Sequence, residues 1–156
     1  MYRFIDARLC DQPPAVRILV LAMRHWVIGA VNGRCVCHVV GCAFRSLNLE
    51  PALDDFHLAM RTLYNNALVS LTFGSFDRST ITEHEAILLG ALAAASKAEN
   101  GSLQAVSRGL VHADMAPVLT QALASLAGQL EFADHVLRQA RSGAGGNASP
   151  NDGQEP

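Results

Sequence analysis

PVLTQALASLAGQLEFADHVLRQAR, residues 117–141, carries the clearest periodicity in the chain. Leu119, Leu123, Leu126, Leu130, Ala133 and Leu137 recur at alternating spacings of four and three. At 3.6 residues per turn that spacing lays all six on one stripe of a helix. A stripe of this kind seeks another helix, inside the chain or in a second copy. It covers fewer than three heptads, and the chain holds several other amphipathic segments, so an internal bundle contact is the stronger expectation.

Working outward from this helix, punctuation residues mark the others. Pro13-Pro14 precede a dense apolar run, and proline is tolerated in a first helical turn, where its missing N–H has no partner to lose. Helix 1 is expected over 14–30, stopped by Asn32-Gly33. Helix 2 is expected over 34–45, and helix 3 from Pro51 to the Asn65-Asn66 pair. Thr82 and Glu85 form a T-x-x-E capping box, which starts a fourth helix running to about 98. Asn100-Gly101 ends it, and Ser102 starts a fifth reaching His112. Gly90, Ala91, Ala93, Ala94 and Ala95 give helix 4 a small-residue face suited to close helix approach, again inside the bundle first and between copies second. Between helices 3 and 4 the stretch 68–73, LVSLTF, has β-branched and aromatic residues but little helical period. As a strand it finds no partner in this chain and would pair with a second copy. The fold class is therefore all-α, a bundle of five to six helices with at most one short extended segment near 68–73. Residues 1–141 form a single domain, and 142–156, rich in Gly, Ser, Asn and Pro, form a disordered tail.

Composition bounds the function. Half of the 156 residues are apolar and 17% are charged, which supports a core and excludes a disordered chain. Twelve Lys+Arg against 14 Asp+Glu leave a net charge of −2, which excludes a strong non-specific polyanion binder. Asp6, Arg8, Asp11 and Pro13-Pro14 interrupt any signal-peptide run. The apolar runs 18–31, interrupted by Arg24 and His25, and 86–95 fall short of the ~20 residues of a spanning helix. A cytoplasmic protein with reduced thiols and no membrane association is expected.

The segments LVLAMR (19–24), Leu58-Ala59-Met60, Val69-Ser70-Leu71 and the helix start 83–89 together resemble a family of small helical bacterial proteins of unknown function. The resemblance covers about half the chain and implies a helical protein without supplying an activity. The cysteine cluster that the family carries after its extended segment is replaced here by Phe73-Gly74-Ser75-Phe76.

The one dense group of reactive side chains is Cys35, Cys37, His38 and Cys42. On a continuous helix, Cys35, His38 and Cys42 share a face and Cys37 points elsewhere. His38 and Cys42, one turn apart, suit a shared metal, whereas Cys35 and Cys42 lie about 10.5 Å apart along the axis at ~1.5 Å per residue. A metal site at Cys35, His38 and Cys42 would thus need help from a residue such as Cys10 or His25. There is no C-x-x-C spacing, so the bland expectation is that the cysteines are small buried fillers among Val36, Val39, Val40 and Phe44. A nucleophilic Cys42–His38 pair has no orienting acid nearby, because none lies between Asp11 and Glu50. Asp54/His57 and Glu131/His135 read as solvated helix-face pairs, and His84 as a bystander in a first turn. No phosphate loop, dinucleotide fingerprint or serine elbow is present. Helices 2 and 3 could imitate a helix-turn-helix, but Arg61 against Asp54 and Asp55 is poor phosphate electrostatics, so nucleic acid is not an expected partner. The expected function is a non-catalytic, self-associating interaction or regulatory protein without a cofactor. The alternatives are a metal- or redox-responsive protein using Cys35, His38 and Cys42, and a DNA-binding regulator.

Overall fold

A computed structural model describes the backbone of residues 4–35, 37–97 and 100–144, with α6 side chains described to Glu131. Six α-helices pack against one another, and the described residues contain no strand. They are α1 (Pro14–Val31), α2 (Cys37–Arg45), α3 (Leu53–Asn66), α4 (Glu83–Ser96), α5 (Asn100–Leu110) and α6 (Ala116–Ala144). The all-α bundle expected from the periodicity is the fold observed. α6 runs three residues past the expected end at 141, and 145–156, most of the expected tail, lie outside the described residues.

α6 is the central element and packs on α3, α4 and α5. Leu119, Leu123 and Leu126 of its stripe are buried and Leu130 is half-buried, so this part of the stripe is an internal seam, while Ala133 and Leu137 lie outside the described side chains. The α4 small-residue face is likewise largely internal. Ala91 is buried, Gly90, Ala94 and Ala95 are half-buried, and only Ala93 is exposed. Phe44 of α2 and Phe56 of α3 meet at 5.0 Å between ring centres. Asp55 of α3 accepts hydrogen bonds from Ser125 Oγ (2.6 Å) and Gln129 Nε2 (2.9 Å) of α6, a polar tie beside the apolar seam.

The helix ends follow their local chemistry. At the end of α1, Arg34 N–H donates to Gly29 O (2.8 Å) and Gly33 N–H to Ala30 O (3.2 Å). This reverse turn needs a left-handed residue after the cap, and Gly33 supplies it at φ +61°. Asn48, at φ +56°, does the same after α2. The turn after α1 holds Arg34 in the exit from that helix. Arg34 and Cys35 therefore stand outside α2, which was expected to start at 34 and whose described residues begin at Cys37.

α1 is long and apolar enough to cross a membrane by length and composition, contrary to the expectation that no segment would be. In the fold it is a packed helix. Leu19, Val20, Ala22, Met23 and Trp26 are buried, and so is Arg24, which has no exposed surface. Arg24 Nε donates to Glu85 Oε1 (2.8 Å) and Nη2 to Glu85 Oε2 (3.0 Å), a two-pronged ion pair between α1 and α4. The three remaining N–H groups go to carbonyls of the loop before α4: Nη1 to Ser75 O (3.1 Å) and Arg78 O (2.6 Å), and Nη2 to Thr80 O (2.8 Å). All five guanidinium donors are thus satisfied. Glu85 also accepts the N–H of Gly74 (2.9 Å) and of Thr82 (2.9 Å). The latter bond is half of the expected capping box, which is present. Gly74 is needed here, because a Cβ would stand 2.8 Å from the Arg24 guanidinium carbon.

The N-terminal segment closes over this loop. Asp6 N–H donates to Ile81 O, Ile81 N–H to Ala7 O, and Leu9 N–H to Ser79 O. The stretch 68–73 differs from the lone strand expected of it, because its leading end pairs within the chain. Ala67 bridges Val111, Leu68 N–H donates to Leu110 O (2.9 Å), and His112 N–H donates to Asn66 O (3.1 Å).

Two outcomes are expected. Leu126→Glu places an unpaired carboxylate in the α6 seam and abolishes cooperative thermal unfolding, as circular dichroism would record. Glu85→Gln leaves Arg24 buried without its counter-charge and lowers stability by about 3–5 kcal/mol in urea titration. Burial alone would raise the Glu85 pKa, but the Arg24 guanidinium and the Thr82 and Gly74 amides outweigh it, and the net shift is downward. The folded state therefore prefers the ionised carboxyl. That stabilisation is complete above the ordinary glutamate value and is lost as pH falls through the lowered one, so the acid-dependent loss of stability should flatten in Glu85→Gln.

Candidate functional site

Two clefts flank Trp26, the only tryptophan in the chain. One, of about 390 Å³, lies between α1, the end of α3 and the extended stretch, and its lining includes Val31, Leu63, Tyr64, Val69 and Phe73. The other, of about 540 Å³, lies between the end of α1, the start of α2 and α3. Arg34, Cys35, Cys37, Asp54, His57 and Arg61 line it together with Trp26.

The indole separates the two clefts and is fixed by a hydrogen bond. Trp26 Nε1–H donates to His57 Nδ1 at 3.0 Å. Accepting at Nδ1 places the proton of neutral His57 on Nε2, and Nε2 is buried without a partner among the described residues. Burial is the main cause of a lowered His57 pKa; Asp54 pulls it up and Arg61 pushes it down. Asp54/His57 is therefore no solvated pair, as His57 is half-buried and committed to Trp26. His84 is no bystander either, because its Nδ1 accepts Thr72 N–H at 3.0 Å and ends the extended stretch. His135 lies beyond the described side chains, so the pair with Glu131 is outside what the structure describes.

All four cysteines are exposed free thiols, which corrects the expectation of buried fillers. The core side of α2 is made of Val40, Gly41 and Phe44 instead, and no thiol packs there. Cys35, His38 and Cys42 are each exposed and do not converge. Among the described residues no three His, Cys, Asp or Glu side chains form a metal-holding group. The pairing that does occur joins Cys35 to Cys37, which a continuous helix would have separated. Cys35 lies ahead of the first residue of α2 and shares the lining of the second cleft with Cys37. Hydrogen bonding from Cys37 lowers the Cys35 pKa. The Cys37 thiol, as donor to Cys35, is raised in turn. The late start of α2, traceable to Gly33, is the signal in the sequence that would have found this pair.

Around the first cleft, Val31 is 68% exposed, Tyr64 51%, Leu68 49% and Val69 48%, an unusual amount of open apolar surface for one end of a small bundle. Val69, Ser70 and Leu71 make no backbone hydrogen bond among the described residues.

No protein-family model, curated protein or solved structure matches this chain.

The Trp26–His57 bond gives an optical readout. Protonation of Nδ1 breaks it, so Trp26 fluorescence should titrate with a midpoint below the ordinary histidine value. Because the folded pKa is lowered, the bond's contribution is present above that ordinary value and lost as pH falls through the lowered one. His57→Gln should remove the transition from the fluorescence titration.

Proposed function

We propose that this chain is a non-catalytic cytoplasmic interaction protein that self-associates through the extended stretch and the apolar rim beside it. The observation that carries the reading is the conjunction at Val69–Leu71 of unpaired backbone groups with exposed apolar side chains. An open edge of this kind recruits a second strand, because main-chain bonding supplies affinity and alternate side chains supply fit. A two-fold axis through the stretch lets each copy pair antiparallel with the other while Val31 and Tyr64 close over the seam. Leu119, Leu123, Leu126 and Leu130 of α6 and Gly90, Ala91, Ala94 and Ala95 of α4 are left out of this contact, since the bundle itself uses them.

A DNA-binding reading is weaker. Arg61 is the only basic residue of α3, and Asp54 and Asp55 lie on the same helix.

Sedimentation velocity over a wide range of protein concentration tests the proposal. A concentration-dependent dimer is expected for the native chain. Val69→Asp combined with Ser70→Pro should yield a monomer with unchanged helical circular dichroism, since both side chains are exposed and neither backbone amide is bonded. A native chain that stays monomeric throughout, or a double variant that still dimerises, overturns it.

A further inference from the structure

The second cleft brings together groups that the self-association reading does not use. Two exposed free thiols, Cys35 and Cys37, are part of its lining. Arg34 and Arg61 line the same cleft, and neither forms an ion pair among the described residues, whereas Arg24, Arg45 and Arg78 all do. The one carboxylate in the lining is Asp54, so the cleft carries a net positive charge. Trp26 adds a flat apolar wall. Unpaired guanidinium groups call for an anionic guest with carboxylate oxygens. Thiols beside them call for a guest with an electrophilic sulfur.

We propose that Cys35 and Cys37, with Arg34 and Arg61 across the cleft, form a dithiol exchange site for a small disulfide bearing carboxylate groups. The Cys35 thiolate attacks one sulfur of the guest disulfide. A bond forms between Cys35 Sγ and that sulfur, the guest S–S bond breaks, and the first guest thiolate leaves. Cys37 then loses its proton to solvent and attacks Cys35 Sγ, expelling the second guest thiolate. Both thiolates take up protons from water. The protein dithiol is oxidised to a Cys35–Cys37 disulfide, and one guest disulfide is reduced to two thiols. Cys35, whose pKa is lowered by Cys37, is the nucleophile, and Cys37, whose pKa is raised, resolves the mixed disulfide. Cys10 and Cys42, exposed but outside this cleft, are internal controls.

The test uses the reduced full-length chain with oxidised glutathione, the probe that carries carboxylates, and with 2-hydroxyethyl disulfide, which carries none. Peptide mass spectrometry follows each cysteine over time. The Cys35–Cys37 disulfide is expected to form about tenfold faster than modification at Cys10 or Cys42 with oxidised glutathione. Cys37→Ser should accumulate a glutathione mixed disulfide on Cys35, and Cys35→Ser should lose the fast phase. Arg34→Ala combined with Arg61→Ala should slow the reaction with oxidised glutathione and leave that with 2-hydroxyethyl disulfide unchanged. All four substitutions are at exposed positions, and circular dichroism verifies the fold of each variant. Equal reactivity of the four cysteines, a stable mixed disulfide on native Cys35 that Cys37 does not resolve, or an arginine double variant with unchanged discrimination between the two probes overturns the proposal.

Discussion

Arg24 and Glu85 meet with no exposed side-chain surface on either partner. Taking two charges out of water costs several kcal/mol for each ion, and their mutual attraction offsets that cost only if every other polar atom of the pair is also satisfied. Much of the architecture serves that condition. The loop 74–80 turns its carbonyls inward to Arg24, Gly74 omits a side chain to let the guanidinium pass, and the capping box of α4 shares its glutamate with the same cation. The N-terminal segment then pairs with 79–81 and seals the loop from outside. A segment without regular secondary structure is in this way as firmly placed as the helices it joins.

The helical layout was readable from local chemistry, because helix ends and amphipathic periods are decided within a few residues. Pro14, Gly33, the Thr82/Glu85 box and the α6 leucines each did in the structure what their neighbourhood required. Arg24 shows where such reading ends. In sequence it merely interrupts an apolar run, and its partner is 61 residues away. No periodicity carries that information. Glu85 was legible as a cap, but its second role depends on a contact between helices that the spacing around it does not encode.

The candidate site was legible in its ingredients and misread in its geometry. The cysteine cluster stood out by composition, and residue type alone argued for burial. The outcome turned on Gly33. The reverse turn it allows binds the Arg34 amide to α1, which keeps Arg34 and Cys35 outside α2. Outside the helix, Cys35 lines the cleft with Cys37 and no longer shares a helix face with His38 and Cys42. His57 was misjudged for a related reason: its i, i+3 spacing to Asp54 is a local fact, whereas its bond to Trp26 joins two helices.

The arginine knot also bears on how the molecule opens. An isolated surface loop frays on its own, and its amides exchange with solvent through small local motions. Here, freeing the loop 74–80 would strip Arg24 of three acceptors at once while leaving its charge and that of Glu85 buried. Such a partly opened state has lost the compensation and kept the desolvation, so it lies high in free energy. The Gly74 and Thr82 amides, held by the carboxylate, therefore exchange only when α1 and α4 separate as well. The knot merges a loop into the cooperative unit of the core and removes a weak point at which unfolding could otherwise begin.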